Sequence, residues 1–168
     1  MPFDLTSKLW PNKDDHFFRD RVLRPIRQNG PHCVAAVLAI LASAEPELFQ
    51  HAINTQDPFS WSDAIARWNM KLCYCPTDIR KLCFYMAELI EMDDLFTLSY
   101  YTTQDKDIIL RDPDDRGWLC GSHIVVLYRD KILDPATGTV VNALEHKCNC
   151  YHTKRIFRVV PRDYVRGL

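Results

Sequence analysis

The sequence predicts an α+β fold, with helices in the first part of the chain and antiparallel strands in the second. Its 168 residues favour a single domain that can bury a core of its own. Residues 33–44 form an apolar run rich in alanine and leucine, which favours a helix buried on every side. After residue 95 the apolar residues lie in short runs with many β-branched and aromatic side chains, as in strands. Helices followed by strands indicate the α+β class.

We expect one domain that spans residues 1–168. An N-terminal extension or helix covers residues 1–27, a helical part covers 28–92, and a sheet part covers 95–168. The turn sequence Gln28-Asn29-Gly30-Pro31 separates the extension from the first long helix.

Four helices are expected. The first lies around Asp14–Leu23, and the second is the buried run that begins at residue 33. Ser60 is expected to act as the N-cap of a short third helix. Apolar residues at spacings of three and four predict a fourth helix from Thr77 to Ile90.

Strands are expected at five places beyond residue 94. Ser122–Tyr128 and Lys131–Leu133 are predicted to form a hairpin about the turn Arg129-Asp130. The other three predicted strands are Leu95–Tyr101, Lys106–Leu110 and Lys154–Val160.

The composition is typical of a globular protein, with 47% hydrophobic residues, 26% charged residues and a formal net charge of −1. This balance lacks the basic excess that nucleic-acid binding requires, so no nucleic-acid partner is expected. The longest apolar run is too short for a membrane span, and the first residues lack the pattern of a signal peptide. We therefore expect a cytoplasmic protein with no membrane partner, or one delivered into a host cytoplasm as an effector.

The chain contains seven cysteines. An odd number without a signal peptide argues against a full disulfide framework, so most of these thiols are expected to be reduced.

Cys33 stands where the Asn-Gly-Pro turn becomes the buried helix. The N-terminus of a helix stabilises a thiolate through its dipole and its unpaired N–H groups. The same groups can stabilise an oxyanion that forms beside the sulfur, and the side-chain amide of Gln28 can donate a further hydrogen bond to it. Cys33 is therefore the candidate nucleophile, and Gln28 is the candidate oxyanion donor.

His123 and Asp134 are predicted to meet on one face of the hairpin. His123 lies at the start of one strand, and Asp134 ends its partner. With a two-residue turn, the numbers of paired residues sum to an odd number, so both side chains project from the same face. Asp134 then pairs with Val125, and His123 is its diagonal neighbour, within about 7–8 Å at the backbone. A carboxylate in that position can orient the imidazole as a base toward a thiol.

Two stretches of the chain resemble a known family. Gln28-Asn29-Gly30-Pro31-His32-Cys33, followed by Val34-Ala35-Ala36-Val37-Leu38, resembles the entry into the cysteine helix of papain-like cysteine peptidases. Gly121–Tyr128 and Ile132–Gly138 are similar to the C39-like branch, where a histidine opens a strand and an Asp-Pro-x-x-Gly turn closes the next. That branch includes the bacteriocin-processing leader peptidase domains.

The resemblance implies a papain-like fold in which Cys33 is the nucleophile, Gln28 the oxyanion donor, His123 the base and Asp134 its partner. Val34 stands where leader peptidases usually have glycine, so the implied relationship is to the broader papain-like group.

A second resemblance leaves an alternative open. The stretch Cys73-Tyr74-Cys75-Pro76-Thr77 resembles the start of the nucleophile helix of the protein N-terminal glutamine amidohydrolases, in which the second cysteine attacks. By that match Cys75 is the alternative nucleophile, with His123 and Asp134 again as its partners.

A metal-binding module is the alternative of another class. His146, Cys148, Cys150 and His152 alternate, and on a strand they would share one side, where Cys73 and Cys75 could complete a zinc site. Residues two apart on a strand lie roughly 6.5 Å apart, too far to chelate one zinc ion easily. Neither a metal nor another cofactor is therefore expected, and a half-buried strand is the simpler interpretation. A disulfide between the two Cys-x-Cys pairs is a further alternative in an oxidising compartment.

The expected function is that of a cysteine peptidase or related thiol hydrolase. It would cleave a peptide or amide bond of a protein or peptide substrate through a Cys-His-Asp triad and a thioester intermediate. A glutamine deamidase or amidohydrolase, or an acyltransferase on the same fold, is the first alternative. A non-catalytic interaction domain or a Cys/His zinc-binding module is the second. The sequence leaves the oligomeric state open.

Overall fold

The computed structural model describes Trp10 and residues 15–112, 114–116 and 120–165. Its architecture is α+β, as the order of the sequence patterns predicts. The helices are α1 (Cys33–Ala42), α2 (Glu47–Gln50), α3 (Pro58–Ile65), α4 (Cys83–Met92) and α5 (Lys106–Ile109). The strands are β1 (Met70–Cys75), β2 (Leu95–Tyr101), β3 (Ser122–Tyr128), β4 (Lys131–Asp134), β5 (Thr139–Asn142) and β6 (Thr153–Pro161).

The strands form one six-stranded antiparallel sheet in the order β1-β6-β2-β3-β4-β5. The sheet separates two apolar clusters, because successive side chains of a strand point to opposite faces. In β3, Ile124 and Val126 pack in the cluster that contains α1, whereas Val125 and Leu127 pack in the cluster that contains α4. Helices therefore cover both faces of the sheet.

The helix α1 is buried from Val34 to Ala42, as its run of apolar residues predicts. It packs against β3, the strand that begins next to His123. The C-cap of α1 is Ser43 in the left-handed conformation, with φ of 53°. The packing of α1 against β3 gives Cys33, the first residue of the helix, a fixed position relative to the middle of the sheet.

The helical part of the chain is not purely helical, because residues 70–75 form β1. The strand pairs along its whole length with β6, from Met70 opposite Pro161 to Cys75 opposite Ile156. The predicted division into a helical part at 28–92 and a sheet part at 95–168 is therefore wrong at this strand.

The expected helix at Thr77–Ile90 begins only at Cys83. The preceding residues form backbone hydrogen bonds to residues outside the helix. The Leu82 N–H donates to the Tyr151 carbonyl, and the Arg80 carbonyl accepts from the Thr153 N–H. Since their partners lie beside β6, residues 80–82 cannot take part in a continuous helix.

Two smaller predictions about helices are also corrected. The cap of α3 is Asp57 rather than Ser60, and the Asp57 side chain accepts from the Phe59 N–H at 3.0 Å. The expected strand at Lys106–Leu110 is the helix α5, because the Asp105 side chain caps it through the Asp107 N–H.

Within the described residues, the predicted helix around Asp14–Leu23 does not form; Asp14 itself lies outside the described part. The N–H groups of Phe17 and Phe18 each donate to the Asp94 carboxylate at 2.9 Å, so they are not available to a helix. None of the helices in the described part of the chain has the length and apolar character needed to cross a membrane.

Candidate active site

Cys33 is the first residue of α1 and is partly exposed, whereas the rest of that helix is buried. The chain reaches it through a turn in which Gly30 has φ of +60°, a conformation that glycine adopts without strain. The backbone hydrogen bond that closes the first turn runs from the Ala36 N–H to the His32 carbonyl, at 3.1 Å. The N–H groups before Ala36 have no intrahelical acceptor, as at any helix start, and they carry the positive end of the dipole.

His123 lies near the start of β3, and only 13% of its side chain is exposed. Its Nε2 lies 2.8 Å from Oδ1 of Asp134, the last residue of β4. Cys33 is a close neighbour of this ring, and its sulfur acts to raise the pKa of His123. The hairpin register pairs Tyr128 with Lys131 and Val126 with Leu133, so the structure contains the contact that the parity of a two-residue turn predicts.

The Asp134 carboxylate is almost completely buried and accepts three hydrogen bonds. Oδ1 accepts from the His123 ring and from the Ala136 N–H at 2.9 Å, and Oδ2 accepts from Nε2 of His146 at 2.7 Å. Burial acts to raise the pKa of this carboxyl, but the hydrogen bonds from His123, His146 and Ala136 outweigh it and hold the pKa well below its usual range. Asp134 is therefore a carboxylate at any pH at which the fold would work.

His146 is a member of this site that the sequence analysis placed elsewhere, as part of an alternating strand. It is the N-cap of a short 3-10 helix, Lys147–Cys150, and its Nδ1 accepts from the Cys148 N–H at 3.0 Å. Because Nδ1 is an acceptor, the proton of the neutral ring lies on Nε2, which donates to Asp134. No local pattern indicates this contact; only the fold brings residue 146 to residue 134.

The pKa of His123 reflects these opposing effects. Burial lowers the pKa, but the hydrogen bonds to Asp134 and Cys33, and the charges on the same two groups, raise it by more, to about 9. These neighbours favour the charged form of the His123 ring at neutral pH. An imidazole beside a thiol can act as its base.

A cavity of about 450 Å³ opens beside the pair, and both Cys33 and His123 lie in its wall. Trp61 and Cys120 also line it, and β6 contributes Lys154 and Arg155. Burial raises the pKa of the Cys120 thiol, so this second sulfur of the cavity is less ionised than an ordinary cysteine. A molecule in the cavity reaches Cys33 without any rearrangement of the core.

Most of the backbone is similar to that of a solved structure, the peptidase domain of Streptococcus ComA, described as a bi-functional ABC transporter involved in a quorum sensing pathway. The sequence identity is 13% and the TM-score is 0.49, over 83% of this chain and 99% of that domain. No protein-family model matches the sequence. No curated protein matches it either.

Gln28 lies near the site but not in the wall of the cavity. Its backbone N–H donates to the Pro135 carbonyl at 2.7 Å, which fastens it to the turn after Asp134. Its side-chain nitrogen donates to the Gly30 carbonyl at 2.8 Å, and among the described residues its Oε1 has no hydrogen-bond partner. The predicted oxyanion contact requires the second amide hydrogen of Gln28, and this role stays a prediction.

Cys75 does not stand at a helix start, contrary to the alternative prediction. It is the last residue of β1, is completely buried, and packs in the apolar cluster with α4. It is not among the residues that line the cavity with His123. A buried sulfur on a paired strand has neither the helix dipole nor the solvent access that a nucleophile needs.

The alternating residues 146–152 do not form a strand, since Lys147–Cys150 is a 3-10 helix. Burial raises the pKa of the Cys148 thiol to about 12, whereas Cys150 is exposed. Within the part of the chain that the structure describes, no three histidine, cysteine or acidic side chains are grouped as a metal site requires. All seven cysteines are described, and no disulfide joins them, including the pairs Cys73/Cys75 and Cys148/Cys150.

Proposed function

We propose that this chain is a cysteine hydrolase that cleaves a peptide or amide bond, with Cys33 as nucleophile, His123 as acid and base, and Asp134 as the orienting carboxylate. One observation carries the proposal: His123 is hydrogen-bonded to Asp134, and it shares the wall of an open cavity with Cys33, the first residue of a buried helix. Each group alone is common in folded proteins. Their arrangement in this order supports nucleophilic catalysis.

In the first step, the Cys33 sulfur bonds to the carbonyl carbon of the substrate, and the carbonyl oxygen becomes an anion. The N–H groups at the start of α1 stabilise this oxyanion, and Gln28 is the candidate for a second donor. The His123 imidazolium then gives its Nδ1 proton to the leaving amine as the C–N bond breaks. The products of this step are a thioester on Cys33, a free amine and a neutral His123.

In the second step, water attacks the thioester and gives a proton to His123. The C–S bond breaks, the acid is released, and the sulfur returns as a thiolate beside the imidazolium. Asp134 keeps the ring oriented in both steps, since its Oδ1 accepts from Nε2 and leaves Nδ1 for the sulfur. His146 contributes as a positioning residue, because it donates to the other oxygen of Asp134.

The experiment compares thiols within one molecule. Intact protein is treated with iodoacetamide at pH 7, and the modification of each cysteine is followed by peptide mass spectrometry. We expect Cys33 to react about tenfold faster than Cys83, an exposed cysteine that serves as the internal reference. The replacement His123→Ala should remove this advantage and leave the rate at Cys83 unchanged.

The same preparation, incubated with a library of proteome-derived peptides, tests turnover. Cys33→Ala should abolish new peptide termini, whereas Cys75→Ala should retain them, since Cys75 is buried away from the cavity. If Cys33→Ala keeps its turnover while Cys75→Ala loses it, the proposed nucleophile is wrong. If Cys33 reacts no faster than Cys83, the thiol is not activated and the hydrolase proposal fails.

A further inference from the structure

The wall of the cavity contains two consecutive residues of one strand, Lys154 and Arg155. Successive side chains of a regular strand point to opposite faces of the sheet. The register between β2 and β6 is irregular at this point. Ser99 is opposite Arg155, but Tyr100 is opposite Thr153, so Lys154 is the extra residue of a β-bulge. A bulge redirects a side chain, and here both cations line the same cavity.

Lys154 is held beside the reacting groups by contacts of its own. Its Nζ lies 3.2 Å from Oγ of Ser122, the residue before His123, and 5.8 Å from the centre of the Tyr101 ring. Burial lowers the pKa of this ammonium, the charge of Arg155 lowers it further, and the sulfurs of Cys120 and Cys33 act in the opposite direction. The ammonium therefore lies within electrostatic range of the proposed nucleophile.

Neither cation has an acidic partner in the part of the chain that the structure describes. The described residues that line the cavity include no aspartate or glutamate, and the proposed thiolate of Cys33 is balanced by the His123 imidazolium. Partly buried cations without counterions are costly, and a cavity with an excess of positive charge concentrates anionic ligands. The geometry thus describes an anion site for which the described part of the chain supplies no anion.

We propose that Lys154 and Arg155 bind a carboxylate of the substrate, from an aspartate or glutamate side chain or from a C-terminus, within reach of Cys33. The assignment of this carboxylate to a substrate rests on the function proposed above. The cationic character of the cavity does not, and it can be measured separately.

The first test uses two probes that differ in charge, iodoacetate and iodoacetamide, on the full-length protein. The measured quantity is the rate of reaction at Cys33 with iodoacetate divided by the rate with iodoacetamide. Peptide mass spectrometry identifies the modified cysteine, so that modification of Cys120 is counted separately. We expect this ratio to exceed the ratio at the exposed Cys83 by about tenfold. Lys154→Met and Arg155→Met should each reduce this tenfold difference between Cys33 and Cys83 severalfold.

Lys131→Met is the matched control, because this exposed lysine at the start of β4 lies outside the cavity. It should leave the ratio unchanged. The proposal is overturned if both Lys154→Met and Arg155→Met, with melting curves like that of the unaltered protein, also leave the ratio unchanged. A thiol that is slow toward both probes contradicts the hydrolase proposal alone, since the ratio of the two rates is still defined.

The second test separates the two sources of a carboxylate. Hexapeptide mixtures carry either glutamate or glutamine at one fixed position, and each is made with a free or an amidated C-terminus. Preference for glutamate identifies a side-chain carboxylate, and preference for the free acid identifies a C-terminus; Lys154→Glu should remove either preference. Equal use of all four kinds of mixture contradicts the proposal. Where no mixture is cleaved, their protection of Cys33 from iodoacetamide gives the same comparison.

Discussion

Two buried carboxylates, Asp94 and Asp134, anchor different regions of this molecule. Asp94 is completely buried, and its Oδ2 accepts from Nη2 of Arg158 at 2.7 Å, an arginine that is also completely buried. Asp134 is 3% exposed and accepts from two imidazoles and a backbone N–H. Both groups have several hydrogen bonds, but the partners of Asp94 keep their protons, whereas His123 can lose one.

The partners explain what each region does. Arg158 lies against the rings of Trp10, Phe17 and Phe96, so the Asp94 pair ties the N-terminal segment to the sheet and is sealed by aromatic rings. The Asp134 group extends through His123 to a sulfur at the edge of a cavity. A guanidinium stays charged at all working pH values and suits a structural contact, while an imidazole can exchange a proton and suits catalysis.

Among the variants that test this comparison, Asp134→Asn should have the largest effect. Both oxygens of Asp134 face N–H donors, whereas an asparagine offers one acceptor and one donor, so His123 or His146 must lose its hydrogen bond. Loss of the correct tautomer should lower kcat/KM by about 10³- to 10⁴-fold, measured on a peptide identified in the library experiment.

The unfolding curve of Asp134→Asn in urea is the control, since a catalytic effect must exceed any loss of folded protein. A variant that stays folded and keeps more than about a tenth of the kcat/KM would show that the carboxylate does not orient the base.

Asp94→Asn should lower the stability of the fold rather than the reactivity of the site. The Arg158 guanidinium would remain buried without its counterion, which should lower the free energy of unfolding by about 3–5 kcal/mol. The folded fraction should keep its alkylation rate at Cys33. The matched control is Asp93→Asn, since Asp93 pairs with Arg129 at the surface and such pairs contribute about 1 kcal/mol or less. Equal losses in the two variants would contradict the distinction between the buried and the exposed pair.

The pH dependence sharpens the comparison further. Folding raises the pKa of His123 from 6.5 to about 9. The charged ring therefore contributes its full stabilisation of the fold below pH 6.5, and this stabilisation is lost as the pH rises through about 9. Since the imidazolium protonates the leaving amine, kcat/KM should fall above pH 9. This fall is the alkaline limb of the pH profile, and in Asp134→Asn it should move toward pH 6.5. A limb that stays at pH 9 in that variant would assign the high pKa to another group.

The sequence predicts the parts of the site that depend on neighbours along the chain. The pairing of His123 with Asp134 follows from the parity of one short hairpin, and the position of Cys33 follows from a turn before an apolar run. Contacts between distant segments leave weaker signals. The strand β1 exists because β6 pairs with it, and Lys154 enters the cavity because of a bulge against β2. His146 reaches Asp134 through a capped 3-10 helix, which no periodic pattern predicts.

The smallest expected effect concerns His146, which acts on the reaction only through Asp134. His146→Ala removes a donor from the carboxylate, which should then hold the His123 proton more tightly and position its ring less well. We expect kcat/KM to fall about tenfold and the alkaline limb to move to higher pH. His146→Gln, whose side-chain nitrogen can replace Nε2, should restore both. His152→Gln, at another buried histidine, is the control and should change neither. If His146→Ala lowers stability without moving the limb, its role is structural, and Asp134 then serves catalysis through His123 alone.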